Sequence, residues 1–160
     1  MAQTPKNVII QQLSVQLAND KQWQHYLNKF TGDIHLAILQ EPYLTYILQG
    51  TKTVESRFAK VKYAPFNQVA IGDILVLKQS GGSIKAICKA TAVWFYELTP
   101  TTLNAIKRKF EKNIQPEEPN SFWKTRTKCK VATLIKISDV TTIPHLEIKK
   151  KDRRGWVRYH

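Results

Sequence analysis

Gly50-Thr51-Lys52-Thr53-Val54-Glu55-Ser56-Arg57 packs more chemistry into eight residues than any other stretch of this 160-residue chain. It joins an apolar helical pattern to a β-branched run. Tyr43, Leu44, Ile47 and Leu48 repeat at helical spacing, with Pro42 near the start and Gly50 just past the end. Glycine accepts the left-handed conformation that stops a helix, so the two residues frame a short one. From Thr53 to Phe58 charged and β-branched residues alternate, which predicts a strand. On a strand Thr53, Glu55 and Arg57 share one face and Val54 takes the other. Val54 then packs inward, and Lys52 at the turn can fold over the Glu55 and Arg57 face. A carboxylate flanked by two cations can orient a cation for phosphate or accept a hydrogen bond from a base edge. The same three residues also suit an ion-pair network that merely fixes the turn.

Upstream, residues 5 to 30 read as two helices. Thr4 is an N-cap with Pro5 at the first helical position, and Ile9, Leu13 and Leu17 recur every four residues. Asn19-Asp20 breaks the pattern and caps a second helix whose Trp23, Tyr26, Leu27 and Phe30 share a face. The role expected of this pair is packing. A strand follows from His35 to Gln40. Downstream, Ile74 to Leu77 reads as a buried strand, and Gly81-Gly82-Ser83 turns it into a long strand from Ile84 to Tyr96. Thr99-Pro100 caps a helix with an apolar face of Leu103, Ile106 and Phe110. Ser121 to Lys128 reads as a short helix or turn, and Val131 to Ile143 and Gly155 to Tyr159 as further strands. Helices do not separate the strands regularly, which argues for an α+β fold on a small barrel or curled sheet rather than a doubly wound one.

Length and composition set the class. A chain of this size folds without disulfides or structural metal, and its two cysteines, Cys88 and Cys129, are too far apart for a CxxC site. Both sit in strand-like context, and buried free thiols are expected. No apolar run reaches the roughly 18 residues of a membrane span. The N-terminus shows no secretory signal, so a reducing cytoplasmic location is expected, or a nuclear one in a eukaryote. The histidines (His25, His35, His145, His160) form no metal-ligand spacing, and no nucleotide-cofactor fingerprint is present. No metal and no cofactor are expected.

Charge points to the partner. Lys and Arg number 25 against 12 Asp and Glu, a formal net charge of +13. From Lys124 to His160 eleven basic residues face three acidic ones, so the excess concentrates at the C-terminal end. Such a field attracts polyanions, and RNA or single-stranded nucleic acid is the first candidate; a membrane surface is not, because no amphipathic helix carries the cluster. Trp123 lies among Lys124, Arg126, Lys128 and Lys130, an aromatic in a basic setting that suits base stacking or, equally, packing. Trp156 follows Arg153-Arg154 and has the same two readings. Lys149, Lys150, Lys151, Arg153 and Arg154 can contact phosphates or act as a nuclear address. Trp94 and Tyr96 fall on one strand face and are read as core.

Gly-x-Lys-x-x-Glu-x-Arg after a short helix is the signature of ASCH domains, and GTKTVESR carries every fixed residue of it. The chain resembles that family from about residue 33 to 160. His35-Leu36-Ala37-Ile38, the Glu41-Pro42-Tyr43 helix start and the strand at Gly72-Asp73-Ile74-Leu75-Val76-Leu77 fit the same pattern. The resemblance implies a β-barrel related to PUA domains, flanked by helices, with a cleft beside Gly50, Lys52, Glu55 and Arg57, and RNA or nucleic-acid binding as the general activity. One branch of the family resembles amidohydrolases that deacylate N4-acetylcytidine and carries Lys-x-x-Thr-x-Arg. Glu55 stands here at its threonine position. Other members are linked to ribonuclease activity.

Two functions are therefore carried forward. The first is RNA binding in a cleft lined by Lys52, Glu55 and Arg57, with phosphates held by the basic C-terminal region. The second is a hydrolase in the same cleft, a ribonuclease or a nucleoside amidohydrolase, with Lys52, Glu55 and Tyr46 as candidate catalytic groups and Arg57 beside them. Residues 1–32 are expected to be a helical extension to a domain spanning 33–160. The sequence does not fix the oligomeric state.

Overall fold

The computed structural model describes residues 3–149 and 153–160. Helices α1 (Pro5–Gln16) and α2 (Lys21–Asn28) come first. Side-chain caps set their starts: Thr4 accepts from the Asn7 N–H at 3.2 Å and Asp20 from the Trp23 N–H at 3.0 Å. Each cap satisfies a donor that the first helical turn leaves unpaired. Strand β1 (Ile34–Leu39), helix α3 (Tyr43–Leu48) and strand β2 (Val54–Ala59) follow. Pro42 occupies the cap position of α3 rather than its first turn. Strands β3 (Ile74–Gln79) and β4 (Ile84–Glu97) form the expected hairpin, with Gly81 at φ +70° in the turn. Helices α4 (Pro100–Ile114) and α5 (Pro119–Arg126) and strands β5 (Val131–Thr142) and β6 (Trp156–Tyr159) complete the chain. No described helix is long and apolar enough to cross a membrane.

The six strands form one sheet in the order β2-β5-β4-β3-β1-β6. β1 and β3 run parallel, and the other pairs are antiparallel. Residues of alternate parity on β1 and β3 feed two cores. Ile34, Leu36, Ile74 and Val76 meet Ile9, Leu13, Trp23 and Leu27 of α1 and α2. Ala37, Leu39, Leu75 and Leu77 meet Leu44 and Ile47 of α3 together with Ile135, Ile137 and Trp156. Burial on both faces explains why these strands read as continuous apolar runs. A third core joins Leu103, Ile106, Phe110 and Ile114 of α4 to Val54, Ala132 and Leu134.

The sheet curls into a half-barrel rather than a closed barrel. β2 and β6 are its edges, and no backbone ladder joins them. Arg57 of β2 spans the gap instead. Its Nη2 donates to the carbonyl of Ile38 at 2.8 Å, and its Nη1 to that of Gly155 at 3.2 Å. Those carbonyls belong to β1 and to the residue before β6, so one side chain does what strand pairing does elsewhere. The unpaired seam is where a cavity forms.

Candidate functional site

Alternation on β2 sends Val54 into the α4 core and turns Glu55 and Arg57 to the opposite face, toward the seam. Gly50, at φ +81°, ends α3 and brings the chain into β2 through Lys52. Lys52 is only 2% exposed, and its ammonium donates to the carbonyls of Val54 and Ile114, both at 2.8 Å. It thereby ties the start of β2 to the end of α4. The Tyr43 ring lies 5.4 Å from the same nitrogen. Burial is the strongest influence on Lys52 and holds its pKa below the ordinary lysine value; Glu55 opposes this, and Arg57 and Arg126 add to it.

Glu55 is 4% exposed. One carboxylate oxygen, Oε1, accepts the Ser56 N–H at 2.7 Å and lies 3.9 Å from the Lys52 ammonium. The other, Oε2, is buried without any hydrogen bond and lies 3.6 Å from Nη2 of Arg57. A buried acceptor left without a hydrogen bond costs about 1–3 kcal/mol, which the nearby Arg57 charge offsets in part. Arg57 in turn lies over the Trp156 ring, 5.1 Å from its centroid. The Trp156 indole N–H donates to Nδ1 of His35 at 3.0 Å, and Nε2 of His35 meets Asp73 at 2.8 Å. Asp73 also accepts the N–H groups of Asp33 and Ala70, each at 3.0 Å. A buried polar chain therefore runs from Asp73 through His35 and Trp156 to the underside of Arg57.

Lys52, Glu55 and Arg57 open onto a cleft of about 630 Å³. Among the described residues six of those lining it are basic, Lys52, Arg57, Lys78, Arg126, Arg153 and Arg154, and Glu55 is the one acid. The guanidinium of Arg126 sits 3.4 Å from the Phe122 ring centroid, and its Nε is buried without a hydrogen bond. Burial lowers the pKa of Arg126. The cleft can thus offer a carboxylate acceptor among several cations, which suits an anionic ligand that carries an N–H donor.

Residues 38–151 match the family model of the ASCH domain. The chain belongs to the ASCH family. A mutant form of the ASCH protein of Zymomonas mobilis is similar in structure, with a TM-score of 0.59 at 12% identity, covering 78% of this chain and 86% of that one. The ASCH domain of Lactobacillus crispatus gives a TM-score of 0.55 at 13% identity, over 86% of this chain and 94% of that one. No curated protein matches the sequence. The ASCH domain is of PUA-like type, a fold often linked to RNA binding.

In this ASCH domain Lys52, Glu55 and Arg57 come together in the cleft, and Arg126, Arg153 and Arg154 join them from distant parts of the chain. Tyr46 does not line it. Tyr43, one turn earlier on α3, does, and Tyr46 instead accepts the Thr51 and Lys52 N–H groups on its carbonyl. Trp123 as a stacking platform is corrected: it is 6% exposed, packed against Phe58 and Phe122, with its indole N–H on Glu111 at 2.6 Å. Trp156 is likewise buried, beneath Arg57. Lys124, Lys128 and Lys149 are exposed but outside the cleft lining, and Lys150 and Lys151 lie outside the described residues. Trp94 packs on Phe110, as read, and Cys88 is buried, whereas Cys129 is only half-buried. Among the described residues no group of three or more His, Cys, Asp and Glu is placed to hold a metal.

The sequence pattern does not mark Tyr43, Lys78 and Ser80 as cleft residues, and it gives Asp73 and His35 no part in supporting the site. A histidine within the apolar run Ile34 to Leu39 is the signal that was available, because a buried imidazole needs a partner.

Proposed function

We propose that the cleft binds RNA, taking one nucleotide of a single strand with its base against Glu55 and its phosphate among the surrounding cations. The observation that carries this reading is Oε2 of Glu55, a buried carboxylate oxygen that has an ion-pair contact with Arg57 but no hydrogen bond, in a cleft whose charged lining is otherwise cationic among the described residues. A ligand N–H reaching that oxygen removes a standing penalty, and carboxylates accept from exocyclic amines in base readout. Arg57, Arg126, Arg153, Arg154 and Lys78 are the phosphate contacts, with exposed Lys124, Lys128 and Lys149 extending the field. The PUA-like fold supports the same assignment. Binding belongs to residues 33–160 in this reading. Residues 1–32 are a helical extension, and no described residue among them lines the cleft.

The test is fluorescence anisotropy with labelled single-stranded RNA, comparing wild type with Glu55→Gln. Replacing one oxygen by a donor amide should weaken binding by about 10- to 150-fold, the value of a hydrogen bond to a charged group. Equal affinity in the two proteins sinks the role of Glu55.

A hydrolase in the same cleft is the second reading, favoured by the depressed pKa of Lys52 beside Glu55. Against it, the Lys52 nitrogen already donates to two carbonyls, as a structural cation does. Turnover of an RNA or modified nucleoside that vanishes in Lys52→Ala would decide for the enzyme.

A further inference from the structure

A second cavity of about 240 Å³ adjoins the cleft on the far side of Arg57. The two share Arg57, Phe58 and Gly155, so they are consecutive along the open seam of the half-barrel. Their chemistry differs. Among the described residues the first is lined by six cations and one acid; the second is walled by Phe58, Tyr63, Pro65, Phe66 and Trp156. Tyr63 is 60% exposed on the loop between β2 and β3, beside exposed Lys60 and Lys62. Phe66 is held in place from behind by Phe95, ring centroids 5.8 Å apart. Lys62 is paired with Glu97 at 2.7 Å, which leaves the Tyr63 ring in water at an apolar pocket, the arrangement on which single-stranded bases stack.

Resting on the RNA reading of the cleft, we infer that this second cavity is a subsite for the base of the adjacent nucleotide, so that the ligand is a single strand of at least two nucleotides rather than a free nucleoside. Arg57 lies at the step between the two. A guanidinium has five N–H donors, and the two bonds to Ile38 and Gly155 leave others for the phosphate that links the two nucleotides. Charge complementarity selects this occupant: Arg57 is the one charged residue among the described residues lining this cavity, it is shared with the cationic cleft, and exposed Lys60 lies on the chain leading to Tyr63, which suits a polyanion with apolar bases.

The experiment measures affinity for the four nucleoside 5′-monophosphates and the sixteen 5′-phosphorylated dinucleotides, using wild type, Tyr63→Ala and Tyr63→Phe. Tyr63 is exposed enough that both variants should keep the wild-type melting temperature. A second base should tighten binding by about 5- to 150-fold over the best monophosphate. Tyr63→Ala should erase most of that gain and leave monophosphate affinity unchanged, while Tyr63→Phe should retain it. Dinucleotides that bind no tighter than monophosphates overturn the subsite and leave the cleft reading standing. So does a gain that survives Tyr63→Ala, or a loss shared equally by both ligand sets. Failure of every nucleotide to bind overturns the RNA reading, and the subsite falls with it.

Discussion

Trp156 donates its indole N–H to Nδ1 of His35 at 3.0 Å, across 121 residues of sequence. The bond fixes the imidazole: with Nδ1 accepting, Nε2 carries the proton and donates to Asp73. The ring beneath Arg57 is therefore held from behind by a buried chain anchored on two backbone N–H groups. His35→Ala removes the acceptor for Trp156 and a donor to Asp73, and it opens a cavity. Urea unfolding should show a loss of about 2–5 kcal/mol. A loss below about 0.5 kcal/mol, the level of an ordinary surface change, would mean the chain contributes nothing.

Asp73 gives the protein an acid-sensitive element. Burial pushes its carboxyl upward, but hydrogen bonds from His35, Ala70 and Asp33 outweigh that and leave the pKa below the ordinary 3.8. A carboxyl with a depressed folded value binds its proton less tightly folded than unfolded. Its contribution is full above the unfolded value and is lost as pH falls through the lower folded value. Wild-type stability should thus drop steeply below about pH 4. Asp73→Asn should be less stable at pH 7 and flatter across the same range. Parallel pH profiles for the two proteins would assign the acid sensitivity elsewhere.

Lys52 contributes with the same sign in the alkaline range. Its lowered pKa means the folded state holds this proton less tightly than the unfolded chain does. Stability supplied at this position accordingly rises as pH climbs from the folded value toward the ordinary one of 10.5. Lys52→Met strands the carbonyls of Val54 and Ile114. It should cost about 1–3 kcal/mol at pH 7, and more at pH 10. Chemical denaturation at the two pH values checks both the size and the direction; a cost that shrinks at pH 10 refutes the sign.

Salt separates phosphate contact from bulk basicity. Each phosphate neutralised on a single strand adds about 0.7 to the slope of log affinity against log salt. A double Arg153→Ala, Arg154→Ala variant should flatten the wild-type slope by up to about 1.4. Titrations at several salt concentrations that return the wild-type slope would place these two residues away from the phosphates.

Local chemistry was legible where neighbours in sequence are neighbours in space. Thr4, Asp20 and Thr99 cap the helices they precede, and alternation placed Val54 inward with Glu55 and Arg57 opposite it. Lys52, Glu55 and Arg57 could be grouped from sequence because they span one turn and one strand. The remainder depends on how the sheet curls. Arg57 reaches Ile38 and Gly155 only because the edges β2 and β6 face each other, which no spacing reveals. Trp123 reads as an aromatic in a basic stretch, yet Phe58 and Glu111, remote in sequence, decide that it packs. The chain from Asp73 to Trp156 is assembled from three separate segments and left a single trace, a histidine in an apolar strand.

Ultraviolet cross-linking of the full chain to a single-stranded RNA, with the modified peptides mapped by mass spectrometry, tests the central claim most directly. The account predicts adducts on the peptides that carry Tyr43, Phe58 and Tyr63, suppressed in Glu55→Gln. Adducts confined to the exposed basic face of α4, at Lys107, Arg108 and Lys109, would contradict it and move the binding surface off the cleft.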